Sequence, residues 1–279
     1  MTVGVIGLGL IGGSLGLDLR SQGLTVLGVS RQVSNCERAI ERGIVDRASS
    51  DLALLTAADV IFICTPIAQI APTLKTLVPY LKPSAIVSDV GSVKAPIVAQ
   101  CSSLWANFIG GHPMAGTEAQ GVEAGQSNLF VDCPYILTPT AQTQPETIDN
   151  LANLVRSLGS RLYLCDPIIH DRAVAWISHL PVMISANLIQ SCLGELDPAV
   201  KILAQQLASS GFRDTSRVGG GNPELGLMMA QYNQGALLRS LLAYRDQLEG
   251  LIEQIEQGNW QSLNKTLKIT QQKRPDYLV

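Results

Sequence analysis

The chain opens with MTVGVIGLGLIGGSLG, and this run constrains the fold more than any other. Val3, Val5 and Ile6 predict a short buried strand. Gly7, Gly9 and Gly12 follow at G-x-G-x-x-G spacing, and Leu10, Ile11, Leu15, Leu17 and Leu19 supply the apolar positions of a helix. Strand, glycine turn and helix in that order aim backbone N–H groups at a helix N-terminus, where a pyrophosphate is stabilised. Gly7 permits the tight turn, Gly9 lets the backbone approach the phosphates, and Gly12 lets the helix pack close to the strand. Gly7, Leu8, Gly9, Leu10, Ile11 and Gly12 are therefore the candidates for dinucleotide contact.

The second predicted strand, Thr25–Val29, refines the cofactor. An NAD site usually carries Asp or Glu near the end of this strand to bind the ribose 2′-hydroxyl. Here Ser30 and Arg31 stand instead. A carboxylate would repel a 2′-phosphate, whereas a hydroxyl and a guanidinium can hydrogen-bond it. The reading favours NADP over NAD.

Further along, residues 59–64, 85–89, 107–110, 135–138 and 161–164 have the length and apolar content of strands, with helices predicted at 69–81 and 145–158. Alternating strands and helices predict an α/β fold with a Rossmann-like, mostly parallel sheet. Ligands in such sheets gather at the carboxyl ends of strands. That directs attention to the loops at Gly7, Ser30, Thr65–Pro66, Asp89 and Gly110. After about Asp166 the pattern becomes helical. Residues 173–193 read as a buried helix kinked by Pro181, and 200–208 as another helix. Gly219–Gly221 form a loop before a helix starting at Pro223. Leu237, Leu241, Tyr244, Leu248, Leu251 and Ile255 make one apolar seam. An all-helical domain of roughly 110 residues buries limited surface alone, so the seam is expected to join two subunits in a homodimer. The division is placed between a dinucleotide-binding domain, 1–165, and a helical domain, 166–279.

Composition excludes several classes. With 46% hydrophobic and 15% charged residues the chain is globular, and a net charge of −3 without a basic run argues against nucleic acid. No signal peptide precedes the first strand and no apolar stretch reads as long enough to span a bilayer, so a cytoplasmic protein without a membrane partner is expected. The six cysteines form no C-x-x-C pair and read as buried, reduced thiols; with three histidines they give no metal-ligand spacing.

Few side chains can do chemistry. His112, in GGHPMAGTE, is expected directly after a strand end, facing the cofactor. A neutral imidazole of ordinary pKa about 6.5 can accept a proton near neutral pH. Ser92, in DVGSVK, can hydrogen-bond beside a nicotinamide, while Lys94 reads as a solvated charge at a helix start. His170 reads equally as a cap or a structural residue, and His179 as a core histidine or a substrate ligand. Arg217 could clamp a substrate carboxylate, and Arg213 reads better as a structural salt bridge.

Taken in order, GLGLIGGSLG, Thr65–Pro66, DVGSVK, GGHPMAGTEAQG, the HD and SHLP segments, and GFRDTSR followed by NPEL resemble the prephenate/arogenate dehydrogenase family of tyrosine biosynthesis. The resemblance implies a helical dimerisation domain and oxidative decarboxylation of a small cyclohexadienol, arogenate or prephenate, to an aromatic product. It implies that His112 accepts the ring hydroxyl proton while hydride leaves ring C4, with Ser92 sharing the hydroxyl and helping to orient His112. Arg217 would hold the side-chain carboxylate, and Thr117, Glu118 and His179 would line the site. With no further domain expected after the helical half, inhibition by tyrosine would act at the active site. The chain departs from the family pattern at Val182, where many members carry histidine, at Gly226, where many carry tryptophan, and in the unusual glycine triplet Gly219–Gly221. Without an imidazole at 182 to repel an ammonium group, arogenate is favoured over prephenate. Two other readings stay open. One is a hydroxyacid or imine reductase, which would usually rely on a lysine that the segment around His170 and His179 lacks. The other is a non-catalytic NADP-binding sensor.

Overall fold

The computed structural model describes residues 1–278. Among them, β1 (Thr2–Ile6), β2 (Thr25–Val29), β3 (Arg47–Ser49), β4 (Val60–Ile63), β5 (Ile86–Asp89), β6 (Phe108–Pro113), β7 (Pro134–Thr138) and β8 (Arg161–Leu164) form one sheet. Its order is β3-β2-β1-β4-β5-β6-β7-β8. All neighbours run parallel except β6 and β7, which pair antiparallel with Gly110 opposite Thr138 and His112 opposite Ile136. The mostly parallel sheet agrees with the expected class.

The crossover helices are α1 (Leu10–Ser21), α2 (Val33–Glu41), α3 (Ile67–Leu77), α4 (Ala95–Leu104) and α5 (Pro145–Ser157). They cover both faces of the sheet. Val60 and Phe62 of β4 face a core with Leu15 and Leu19 of α1 and Leu151 and Val155 of α5. Ile61 and Ile63, the alternate residues, face Ile70 and Leu74 of α3 and Ile97 and Cys101 of α4. A strand buried on both sides must be apolar throughout, which is why residues 60–63 read as a continuous VIFI run. From β1 the chain builds outward in both directions, leaving a crevice at the carboxyl ends of β1 and β4.

The structure corrects several sequence expectations. The three-residue β3 was not expected. α3 ends at Leu77 and continues as a 3-10 turn, Val78–Tyr80. β6 runs on through Pro113, so His112 lies inside a strand and not in the loop after one. Antiparallel pairing with β7 supplies the extra ladder partners that carry the strand past its parallel neighbours.

The second half is helical: α6 (Pro167–Val174), a π-helical turn (Ala175–His179), α7 (Leu180–Leu193), α8 (Pro198–Leu207), α9 (Ser210–Ser216), α10 (Pro223–Tyr232), α11 (Gln234–Glu256) and α12 (Trp260–Lys273). Pro181 sits in the first turn of α7, where its missing N–H is tolerated, and the widened turn before it absorbs the break. The expected loop at the glycine triplet is a 3-10 turn, Arg217–Gly220.

Residues 173–193 are not a buried helix. Trp176, Ile177 and Leu193 are exposed. The run Pro167–Leu193 is also long and apolar enough, at mean hydropathy 1.2, to cross a membrane by length and composition, contrary to the expectation that no such stretch exists. Its buried residues include His170, Asp171 and His179, however, and all three are hydrogen-bonded within the protein. Along the expected seam only Leu237 is buried; Leu241 and Leu251 are half-buried, and Tyr244, Leu248 and Ile255 are exposed. All six cysteines are unpaired; Cys36 and Cys101 are buried and Cys192 is exposed.

Candidate active site

At the carboxyl ends of β1, β2 and β4 lies a cleft of about 670 Å³. Its lining includes Gly7, Leu8, Gly9, Ser30, Arg31, Asn35, Thr65 and Pro66. Gly7 has φ +95°, and a Cβ there would stand 2.6 Å from the Cys64 carbonyl oxygen. A Cβ on Gly12 would meet the Gly7 carbonyl oxygen at 1.9 Å, so this glycine serves helix–strand packing. At Gly9 a Cβ would meet nothing, which leaves open space above the backbone. Leu10 and Ile11 begin α1 and lie outside the cleft lining. The helix has no side-chain cap and no acidic residue in its first turn. Thr65 Oγ1 is buried without a hydrogen-bond partner. Uncapped N–H groups, an unfilled approach at Gly9 and an orphaned hydroxyl fit a dinucleotide whose phosphates lie on the α1 terminus. No carboxylate lines the cleft among the described residues, and Arg31 is its one cation.

One strand along from β4, at the end of β5, the carboxyl edge is braced by a buried ion pair. Lys94 and Asp89 are fully buried and in direct contact. Lys94 also donates to the Gly111 carbonyl at 2.7 Å, and Asp89 accepts the N–H of Gly91 at 2.8 Å and of Gly111 at 3.2 Å. Lys94 is thus not the solvated helix-start charge its position suggested. Burial lowers its pKa, opposed chiefly by the Asp89 carboxylate. The pair holds Gly91 and Gly111, each next to a candidate residue, Ser92 and His112. Glycine at 111 is required, because a Cβ would lie 2.5 Å from the Asp89 carbonyl oxygen.

All three histidines converge beside this brace. His112 is 7% exposed, and its Nδ1 lies 2.8 Å from Nε2 of His170. His170 Nδ1 in turn lies 2.8 Å from Asp171 Oδ1. Asp171 accepts the backbone N–H groups of Lys94 and Ala95, capping α4. Asn233, at the start of α11, donates to the Asp171 carbonyl at 2.7 Å and lies 3.1 Å from His179 Nδ1. His112 Nε2 has no protein partner among the described residues. Burial pushes the His112 pKa well below 6.5, and the neighbouring His170, Lys94 and His179 push it the same way. His112 is therefore a neutral imidazole at neutral pH, able to accept a proton. Burial also pushes His179 down to about 4.

The other expected residues separate into two groups. Ser92 Oγ is buried without a hydrogen-bond partner, as a site completed by a ligand requires, while the His179 ring faces the Ser92 backbone. Ser92 Oγ makes no hydrogen bond to His112, whose Nδ1 faces His170. Thr117 and Glu118 are exposed on the loop after β6, and Thr117 Oγ1 accepts the Ala119 N–H. Arg217 is exposed on a turn anchored to α7 by the Gly219 N–H to Ser185 Oγ bond, 2.8 Å. Arg213 pairs with Asp214 at 3.0 Å, the surface salt bridge preferred for it. Sequence reasoning missed the buried role of Lys94, the link from His170 to His112, and Asn233. Only the adjacent HD pair offered a signal, a histidine with a carboxylate beside it.

The chain matches the nucleotide-binding domain model of prephenate dehydrogenase over residues 15–164, and the dimerization domain model over 166–269. The crystal structure of Synechocystis arogenate dehydrogenase is similar at 58% identity and TM-score 0.91, covering 99% of this chain and 100% of that one. Prephenate dehydrogenase from A. aeolicus, in complex with hydroxyphenyl propionate and NAD+, is similar at 26% identity and TM-score 0.93, covering 99% and 98%. The cyclohexadienyl dehydrogenase of Zymomonas mobilis is 31% identical over 243 residues, 85% of this chain and 82% of that protein. The glycine cleft, the histidine cluster and these matches together assign the chain to the prephenate dehydrogenase family of oxidoreductases.

Proposed function

We propose that this protein oxidatively decarboxylates L-arogenate to L-tyrosine, with NADP as electron acceptor and His112 as the proton acceptor. The observation that carries the reading is a buried, neutral imidazole whose Nε2 is unpaired, on the same carboxyl edge of the sheet as a cleft suited to a dinucleotide. Residues 1–165 would hold the nucleotide, and 166–279 would close the substrate site and pair two subunits in the cytoplasm.

A bound nicotinamide supplies the hydride acceptor. Gly7, Leu8 and Gly9 would carry the phosphates, with Thr65 and Pro66 along the wall. Ser30 and Arg31 would take the 2′-phosphate, a choice supported by the absence of any carboxylate among the described lining residues. His112 takes the proton of the ring 4-hydroxyl as the C4 hydrogen leaves with its electron pair. The bond from ring C1 to its carboxylate breaks, carbon dioxide departs, and the bonding pair completes the aromatic ring. The proton then returns to the ring oxygen, so arogenate and oxidised cofactor give tyrosine, carbon dioxide and reduced cofactor with no net proton released. Ser92 Oγ, orphaned in the protein, is available to the same hydroxyl. Arg217 would meet the side-chain carboxylate, with Thr117, Glu118 and His179 at the margin.

The arogenate preference draws support from Val182 and Gly226. A Cβ on Gly226 would lie 3.7 Å from Val182 Cγ1, so these two departures from the family pattern are neighbours. Val182 follows His179 by three residues, one helical turn. Neither Val182 nor Gly226 carries a charge that would repel an ammonium group. Turnover of purified protein, read as reduced-nicotinamide absorbance, should be fastest with arogenate and NADP. Faster turnover of prephenate would reverse the substrate assignment, and faster turnover with NAD the cofactor assignment.

A further inference from the structure

We infer that His170 is a positioning residue that fixes the proton of His112 on Nδ1, leaving the lone pair on Nε2 for the substrate. The inference rests on reading His112 as the base. Some of the protons around this chain cannot move. Both oxygens of Asp171 already accept backbone N–H groups, from Lys94 at 2.7 Å and Ala95 at 2.8 Å. The carboxylate therefore faces His170 Nδ1 as an acceptor, and that nitrogen must carry a hydrogen. In its neutral form the imidazole has one such hydrogen, so His170 Nε2 is then an acceptor. It faces His112 Nδ1 at 2.8 Å, and that nitrogen must in turn donate. The reverse order would set a lone pair of His170 against a carboxylate oxygen at 2.8 Å. The direction of the chain is thus imposed by two backbone amides at the start of α4 and transmitted through a buried aspartate and a buried histidine.

The same segment gives His179 the opposite form. Asn233 Nδ2 faces the Asp171 carbonyl, which can only accept, so the amide orientation is fixed. The same NH2 group faces His179 Nδ1, which must accept, placing the His179 proton on Nε2. Three histidines within one cluster are therefore held in two tautomers by one aspartate residue, through its carboxylate and its carbonyl. When His112 takes a second proton, its Nδ1–H bond to His170 persists and the Asp171 carboxylate lies at the far end of the chain. The remaining titratable groups facing His112 are Lys94, paired with Asp89, and His179. An aspartate acting through one histidine to set its tautomer is a known device; here a second histidine is interposed.

The chain has only three histidines, so the ring nitrogens can be read directly by NMR of the intact protein labelled with 15N-histidine, at pH 9, above the ordinary imidazole range. Signals of residue 112 are identified by their loss in His112→Asn. Protonated Nδ1 at His112 and His170, with protonated Nε2 at His179, is the expected pattern. His170→Phe should release His112 into a mixture containing the Nε2–H form and lower kcat by about 100-fold, with substrate and cofactor KM little changed. His170→Gln, which keeps an acceptor oxygen near the position of Nε2, should restore much of kcat. A wild-type His112 protonated on Nε2, or a His170→Phe variant with His112 tautomer and kcat unchanged, would overturn the inference. The expected tautomers in a protein that does not turn over arogenate would leave the tautomer assignment standing and remove the proposed function.

Discussion

The two halves of this molecule differ in how far each satisfies itself. From β1 to α5 most large apolar residues are enclosed in two cores, one on each face of the sheet. Beyond α7, Met229 and Leu237 are the only buried hydrophobics among the described residues, while Leu227, Leu238, Leu248, Ile252 and Ile255 stand in solvent. The first half is a finished scaffold with an open cleft. The second is a surface in search of a partner, yet it supplies His170, Asp171, His179 and Asn233 to the histidine cluster. The nucleotide-binding half can hold a cofactor on its own residues, but its candidate base is held only once the helical half is docked.

The sharpest way to break this contrast lies in the first half. Lys94→Met leaves Asp89 buried and unpaired beside Gly91 and Gly111, and should destabilise the fold by about 3–5 kcal/mol. Denaturant unfolding of both proteins measures it; a loss under about 1 kcal/mol would mean the brace is not structural. In the helical half, Leu248→Glu places a carboxylate in the proposed dimer seam twice by symmetry. The dimer should weaken by about 3 kcal/mol, with monomer appearing in sedimentation at micromolar concentration. An unchanged dimer would place the interface elsewhere.

Smaller effects test the ligand contacts. Arg31→Ala would remove the charge-assisted hydrogen bond proposed to the 2′-phosphate, and NADP affinity should fall by about 1.5–3 kcal/mol while NAD affinity stays constant. Equal losses for both would make Arg31 a general phosphate contact. Val182→His should shift the ratio of kcat/KM for prephenate over arogenate upward by about tenfold, or 1.4 kcal/mol. No shift would remove residue 182 from substrate recognition.

What the sequence disclosed follows the same division. The glycine turn was legible because strand, turn and helix are contiguous, and Gly7, Gly9 and Gly12 each answer a local geometric need. His112 stood out because so few histidines exist, although its strand was placed too short. The short β3 escaped notice because Arg47 is exposed and no apolar alternation marks it. Lys94 was misread because its partners are Asp89, five residues away, and Gly111, seventeen away across the sheet edge. The His112–His170 contact spans 58 residues and crosses from the sheet to the first helix of the second half. No local pattern records such a contact, since it depends on how the halves dock.

The central claim is that the His112 imidazole accepts the substrate proton. The direct test is kcat/KM for arogenate with NADP across pH, for the wild type and His112→Asn. Burial depresses the pKa, so the base stays neutral down to below 6.5. The wild-type profile should therefore be level through neutral pH and fall only on the acidic side of that value. The variant should lose about 100-fold or more across the plateau, with cofactor affinity retained. A variant that turns over arogenate as fast as the wild type would contradict the account.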